Sequence, residues 1–337
     1  MDIRNVPYSQ IDLKKWDKCI DSSLNGTVFG YSWYLNLVCE NWEAIILNDY
    51  EAIMPLPLCT FLRRPAVISP CLAPQLGVFS PRLPAPEIID SFLSCLRSKY
   101  RFVKVGLNKY NLISDEAFKI KTGLSFNLDL IPSYTKLFHS FSRETKQIIE
   151  TGRSKKYSVV KGLRLNDFIQ FYRTRCVHKS KHDDKIFYNK LRRLISFTIL
   201  HRIGELYGAY SPENNLSATV FIIKTRQRIT FLASAMMPDN SGLLAFALLL
   251  DHLLKQFAEK DLTIDFEILP CPPKYVPRFG LYPKKREPGK SLSGLYKGFG
   301  ATLFNYPIIV YNNLPVLLKT AGKVFNFGSG NTCNIYV

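Results

Sequence analysis

With 337 residues, 47% of them hydrophobic and 13% aromatic, the chain is long enough for two packed cores and too apolar for a disordered polymer. Its formal charge of +18 points to an anionic partner, and the excess is uneven: residues 1–140 carry 15 Lys/Arg against 13 Asp/Glu, the remainder 30 against 14. The eight cysteines stand singly with no Cys-x-x-Cys pair, which excludes a zinc ribbon or a disulfide scaffold.

Residues 1–11 alternate charged and polar side chains without an apolar leader core. The greasiest run, 243–254, is broken by Asp251 and His252 and is too short to span a bilayer. The expectation is a soluble, cytoplasmic protein without a transmembrane segment.

In chain order, 43–47 and 50–54 are apolar runs around Asn48-Asp49 and predict a hairpin, with Pro55 and Pro57 marking its end. A Pro-rich loop spans 65–86. Residues 87–100 place Ile88, Ile89, Phe92, Leu93 and Leu96 at helical spacing, and 102–107 reads as a strand. The charged stretch 134–184 has helical periodicity, carried by Leu137, Phe138, Phe141, Ile148 and Ile149, then by Phe168, Phe171 and Tyr172. Strands at 206–210 and 218–223 flank a turn at Pro212-Glu-Asn-Asn215, and 228–234 adds a third. A helix over 243–260 and a strand over 262–266 follow. Hairpin, helix and strand thus occur twice, which predicts a duplicated α/β (α+β) fold.

Three segments carry a resemblance. Thr27-Val-Phe-Gly-Tyr-Ser-Trp-Tyr34 through Trp42 is similar to the opening of the Fem peptidyltransferases and related GNAT-type acyltransferases. The basic run from Tyr134 through Phe141-Ser-Arg-Glu-Thr-Lys146 to Gly152-Arg-Ser-Lys-Lys-Tyr157 resembles the helix that joins that family's two halves. Leu295-Tyr-Lys-Gly-Phe-Gly-Ala301 resembles its closing motif. The resemblance implies two tandem GNAT-like domains, each a mixed twisted sheet flanked by helices. Their expected extents are 1–135 and 191–318, with a basic helical connector at 136–190 and a tail at 319–337. The resemblance implies acyl-coenzyme A or aminoacyl-tRNA as donor, and the lack of a long helical arm of the kind some Fem enzymes use to engage transfer RNA counts against the second.

The fold it implies places the chemistry in the second half. Backbone donors at Asn240, Ser241 and Gly242, before the 243 helix, are the expected cradle for the pyrophosphate of coenzyme A, because helix N-termini attract anions. The Gly-rich pattern of such cradles is missing, and Ser241 serves equally as a helix cap. The first half's counterpart at Leu83-Pro-Ala-Pro86 has no cradle at all. Asp265 and Glu267 share one face of their strand, where either can take a proton or hold a cationic amine, or simply pair with Lys or Arg. Tyr296 is the candidate acid for the leaving group and Lys297 a ligand for phosphate or carboxylate, while Phe299 reads as core and Gly298 and Gly300 as a turn.

Arg143, Lys146, Arg153, Lys155 and Lys156, together with Arg278, are candidates for binding an anionic small-molecule or lipid-linked substrate, or transfer RNA. His178 and His182 lack a carboxylate partner at ligand spacing, so no metal is expected. The function expected is transfer of an acyl or aminoacyl group to an amine, on an acceptor such as a cell-envelope precursor. The alternative is a non-catalytic protein that binds a polyanion, either RNA or an anionic membrane surface.

Overall fold

The computed structural model describes residues 2–175, 181–267 and 292–315. Two compact units emerge: one is Met1–Leu124 with the chain from Asn305 onward, the other Ser125–Phe304.

The first unit opens with β1 (Ile3–Val6), α1 (Leu13–Ser22) and α2 (Ser32–Val38). Asp12 caps α1, accepting from the backbone N–H groups of Lys14 and Lys15 at 3.0 and 3.1 Å. Then come β2 (Asn41–Leu47), β3 (Ala52–Phe61), β4 (Arg64–Ile68), α3 (Pro86–Lys99) and β5 (Phe102–Gly106). Pro86 starts α3 at the position where a missing N–H costs nothing. β6 (Lys119–Asp129) crosses the unit boundary.

The second unit continues with α4 (Tyr134–Ser140), α5 (Arg143–Ser154), β7 (Ser158–Lys161), α6 (Leu165–Arg175) and α7 (Lys181–Leu200). β8 (Gly204–Tyr210), β9 (Leu216–Lys224), β10 (Arg228–Met236), α8 (Asn240–Phe257), β11 (Thr263–Glu267) and α9 (Leu292–Gly298) follow. The last strand, β12 (Thr302–Asn312), returns to the first unit, where Ile308–Asn312 pair antiparallel with β5.

The strand orders match. Unit one runs β1-β2-β3-β4-β5-β12 and unit two β7-β8-β9-β10-β11-β6. In each, every neighbouring pair is antiparallel except β4/β5 and β10/β11, which are parallel. The parallel pairs require a crossover, supplied by α3 and α8. The pair α1/α2 between β1 and β2 corresponds to α6/α7 between β7 and β8. Strands and crossover helices are thus duplicated, while α4, α5 and α9 have no counterpart helix in the first unit; within 136–190, β7, α6 and α7 belong to the repeated pattern.

Three expectations change. Pro55 and Pro57 do not end β3, which runs on to Phe61. Ile53 exchanges both backbone hydrogen bonds with Phe79, at 2.9 and 2.8 Å, so the odd-numbered amides point away from β2. On that flank β4 begins pairing only at Leu58, and two missing N–H groups leave no ladder bond unmade. The Pro-rich 65–86 stretch contains β4 itself. The α8 helix starts at Asn240 and ends at Phe257, earlier at both ends than expected.

Each core is aromatic. Trp16, Phe29, Tyr34, Phe79 and Phe92 are fully buried in unit one, with the Trp16 indole N–H donating to the Gly30 carbonyl at 2.8 Å. In unit two, α5, α8 and α9 bury Ile149, Phe246, Leu249 and Phe299 on one sheet face. On the other, Phe168 of α6 meets Phe221 of β9 at 6.4 Å.

The edge strand β7 is pinned through Glu205 on β8, which accepts from Lys161 of β7 at 3.0 Å, from Tyr207 at 2.6 Å and from Lys224 of β9. Burial pushes the Glu205 carboxyl up, but these three donors outweigh it and hold it down at about 2. A depressed carboxylate stabilises the fold above its unfolded value and loses that stabilisation as pH falls through about 2. The urea midpoint should therefore drop more steeply on acidification below about pH 4 in the wild type than in Glu205→Gln. A β-carbon on Gly106 would run into the Pro74 carbonyl oxygen. Gly106→Ala should cost about 2 kcal/mol in urea unfolding.

Candidate active site in the second unit

The site is built on a register slip. Along β10, Phe231 faces Ile222 of β9 and Ala233 faces Phe221, so β10 carries one extra residue there. In a regular strand, positions 231 and 234 would lie on opposite faces. The bulge puts them on the same one. Phe231 packs on Phe266 of β11 at 4.8 Å, Phe266 stacks on the Tyr296 ring at 4.2 Å and 20°, and the Tyr296 and Ser234 hydroxyls lie 3.3 Å apart. Phe126 and Phe246 close the cage at 5.7 and 6.2 Å. Burial pushes the Tyr296 hydroxyl up to about 12, while contact with Ser234 pulls the other way.

Among the described residues, β10 and β11 pair over Arg228–Phe231 and Thr263–Phe266. Past the bulge, among the described residues, β10 is paired with β9 alone as far as Met236. The carboxyl end of a parallel pair is the position where open α/β sheets receive ligands.

The three expected catalytic residues do not converge. Asp265 and Glu267 alternate with Phe266 along β11, so their face is opposite the one on which Tyr296 stacks. Asp265 is buried and engaged by the Arg228 guanidinium at 2.9 and 3.1 Å and by the Asn127 amide across β6. That is the pairing expected of a structural carboxylate. Glu267 ends β11 opposite Ser125 of β6.

At the N-terminus of α8, the anion-attracting amides are already taken. Asp239 is the cap, and its Oδ1 accepts from the Ser241 and Gly242 backbone N–H at 2.9 and 3.3 Å. The Ser241 hydroxyl and these amides hold the Asp239 carboxyl below its ordinary value. Ser241 is thus not the cap; an Asp one position before the apolar helix was the legible signal. Gly242 is needed for close approach, since a β-carbon there would strike the Met237 backbone.

Asn240 instead lines a cleft of about 300 Å³ with Leu243 and Leu244 on α8 and Glu144, Gln147, Ile148, Thr151 and Lys155 from α5. Two expected site groups, Asn240 and Lys155, therefore meet. Of the other basic candidates, Arg143, Lys156 and Lys297 are exposed, and Lys146 donates to the His139 carbonyl at 3.0 Å. Arg153 is committed to the buried Asp251 at 2.7 Å, which also accepts from Lys255 at 3.0 Å and from Tyr134. Arg278 and His178 lie outside the described residues, as do the Pro-rich 268–290 segment and the 319–337 tail. Phe299 is core and packs on Phe141 at 4.8 Å. Gly298 abuts Thr145, and Gly300 has φ +87. Sequence reasoning missed Ser234, because the bulge that aims it has no residue signature.

Among the described residues no helix is long and apolar enough to cross a membrane, and no group of three His, Cys, Asp or Glu converges. No protein-family model matches the sequence. No curated protein matches it either. Solved structures do. The structure of FemX superposes with a TM-score of 0.61 at 11% identity, covering 96% of this chain and 100% of that one. A conserved protein of unknown function from Bacteroides thetaiotaomicron gives 0.51 at 11% identity, covering 90% and 99%. L-PGS from Bacillus licheniformis gives 0.49 at 11%, covering 92% and 94%. The superposition on FemX, nearly end to end, gives this chain a Fem-like, GNAT-type fold, with its strand order repeated in two units.

Proposed function

We propose that the chain is an N-acyltransferase whose reaction takes place beside the β10 bulge, at the carboxyl end of the β10/β11 pair. The observation that carries this reading is the Tyr296 hydroxyl, caged by aromatic rings and in contact with Ser234 on β10. An acceptor amine attacks the donor's carbonyl carbon directly, without a covalent enzyme intermediate. The leaving group is a thiolate if the donor is acyl-coenzyme A and a ribose oxygen if it is aminoacyl-tRNA. Tyr296, held at about 12, keeps its proton through neutral pH and has it ready for that group.

The α5/α8 cleft, apolar along Ile148, Leu243 and Leu244 and polar at Asn240 and Lys155, suits a ligand with an aliphatic stretch and an anionic end. Arg143, Lys156 and Lys297 add positive charge for an anionic or lipid-linked acceptor, such as a cell-envelope precursor met in the cytoplasm. Asp265 takes a supporting role: with Arg228 and Asn127 it ties β6, β10 and β11 together.

The test compares donors and variants together. Acyl-coenzyme A or aminoacyl-tRNA should raise the melting temperature by mass action and support transfer to an amine. Tyr296→Phe should lower kcat about 10²-fold with the melting temperature unchanged. Asp265→Asn should do the reverse, lowering the melting temperature through loss of the charge pair with Arg228. Full turnover in Tyr296→Phe would remove that residue from the chemistry. Failure of both donor classes to bind or react would favour the polyanion-binding alternative.

A further inference from the structure

The face of unit two's sheet remote from Tyr296 is covered by α6 and α7, and α7 has an unusual outer surface. Between residues 185 and 202 the sequence holds five Lys/Arg and no Asp/Glu, and α6 with its preceding residue adds Arg164, Arg173 and Arg175 against Asp167 alone. Leu191, Leu194, Ile195 and Thr198 face inward and are fully buried. The opposite side, at helical spacing, runs Ile186, Asn189, Arg193, Ser196 and Leu200. Leu200 is 78% exposed, Ile199 43% and Ile186 39%, and His201 and Arg202 follow directly. Large aliphatic side chains thus stand out of a surface that is otherwise cationic.

We propose that this outer face of α7 docks on an anionic lipid bilayer, with Leu200 and Ile199 entering the acyl boundary and Arg193, Lys185 and Arg202 meeting headgroup phosphates. Charge decides against a second copy of the chain, because two such faces would repel. The aliphatic component decides against nucleic acid, whose phosphate backbone offers nothing to Leu200 or Ile199. A bilayer surface rewards both components at once, apolar area buried beneath the headgroups and cations near their negative potential. The inference stands apart from the chemistry proposed at Tyr296, which lies on the other sheet face.

Co-sedimentation of the full chain with phosphatidylcholine vesicles, with and without phosphatidylglycerol, tests this. Binding should require phosphatidylglycerol and should weaken as salt rises from about 0.05 M to about 0.5 M. Leu200→Asp should lower the partition coefficient about tenfold, and Arg193→Ala about fivefold. Leu24→Asp, at a comparably exposed leucine in the first unit, should leave it unchanged; circular dichroism melts show whether each variant is folded. Equal binding to neutral vesicles, a folded Leu200→Asp that partitions like wild type, or Leu24→Asp acting as strongly as Leu200→Asp would each overturn the proposal. So would binding of polyuridylate without any vesicle binding, or sedimentation as a dimer that Leu200→Asp dissociates.

Discussion

One additional residue in β10 governs which side chains of the second unit can act together. A strand reverses its faces every residue, so a single insertion between Phe231 and Ala233 exchanges the faces of everything after it. Before the slip, Arg228 and Thr230 share the α6 side with Asp265, and Phe231 the α8 side with Phe266. After it, Ser234 joins Phe231 and reaches Tyr296. Without it, the Ser234 hydroxyl would lie among the α6 side chains and Tyr296 would face only hydrocarbon. Among the described residues the β10/β11 ladder also ends at Phe231, the residue before the slip.

The first unit shows what the same scaffold does with a longer segment at the matching place. Its parallel pair, β4 and β5, touches only at Val67–Ile68 and Val103–Lys104, an even shorter contact than in unit two. The space beyond is filled by the chain's own segment after β4. The Leu76 N–H donates to the Gly106 carbonyl at 2.7 Å, the Asn108 N–H to the Leu76 carbonyl at 2.8 Å, and Phe79 bridges to Ile53. Three buried asparagines, Asn25, Asn108 and Asn111, each donate to the Val78 carbonyl, and Asn111 also accepts from the Val78 N–H. Gly77 at φ +98 lets the turn form beneath Asn111. In unit two the β10-to-α8 link is only three residues, 237–239, too short to fold back in this way. Identical topology thus carries a long inserted segment after β4 and a three-residue link after β10.

The repeat of hairpin, helix and strand was legible because those elements carry long apolar runs: β2 and β3, α3, β8 to β10 and α8. The short edge strands were not. β7 reads Ser-Val-Val-Lys with mostly exposed side chains, and β1 is only four residues, so neither displays the alternation that a half-buried strand imposes. β4 was hidden inside a proline count, since Pro65 sits in a strand that donates to only one neighbour at that point. At the site, residue types were readable and partners were not. Asp265 looked equally suited to catalysis or pairing until Arg228, 37 positions away, and Asn127, 138 away, came beside it. Sequence spacing fixes which face of its own strand a side chain takes, but not what stands across the ladder.

The sixth strand of each unit carries the duplication a step further. β6 follows β5 in the chain, yet Ser125–Asp129 pair with β11. β12 follows α9, yet Ile308–Asn312 pair with β5. The first unit is therefore closed by the far end of the chain and cannot be excised as one continuous stretch, whereas the second, Ser125–Phe304, is continuous. Cutting after Leu124 would leave β5 with no antiparallel neighbour and Val103 and Val105 with one flank unpaired, an edge of the kind that invites aggregation. The second unit would keep Asn127, which lies after the cut, and with it the contact that helps hold Asp265 beside Arg228.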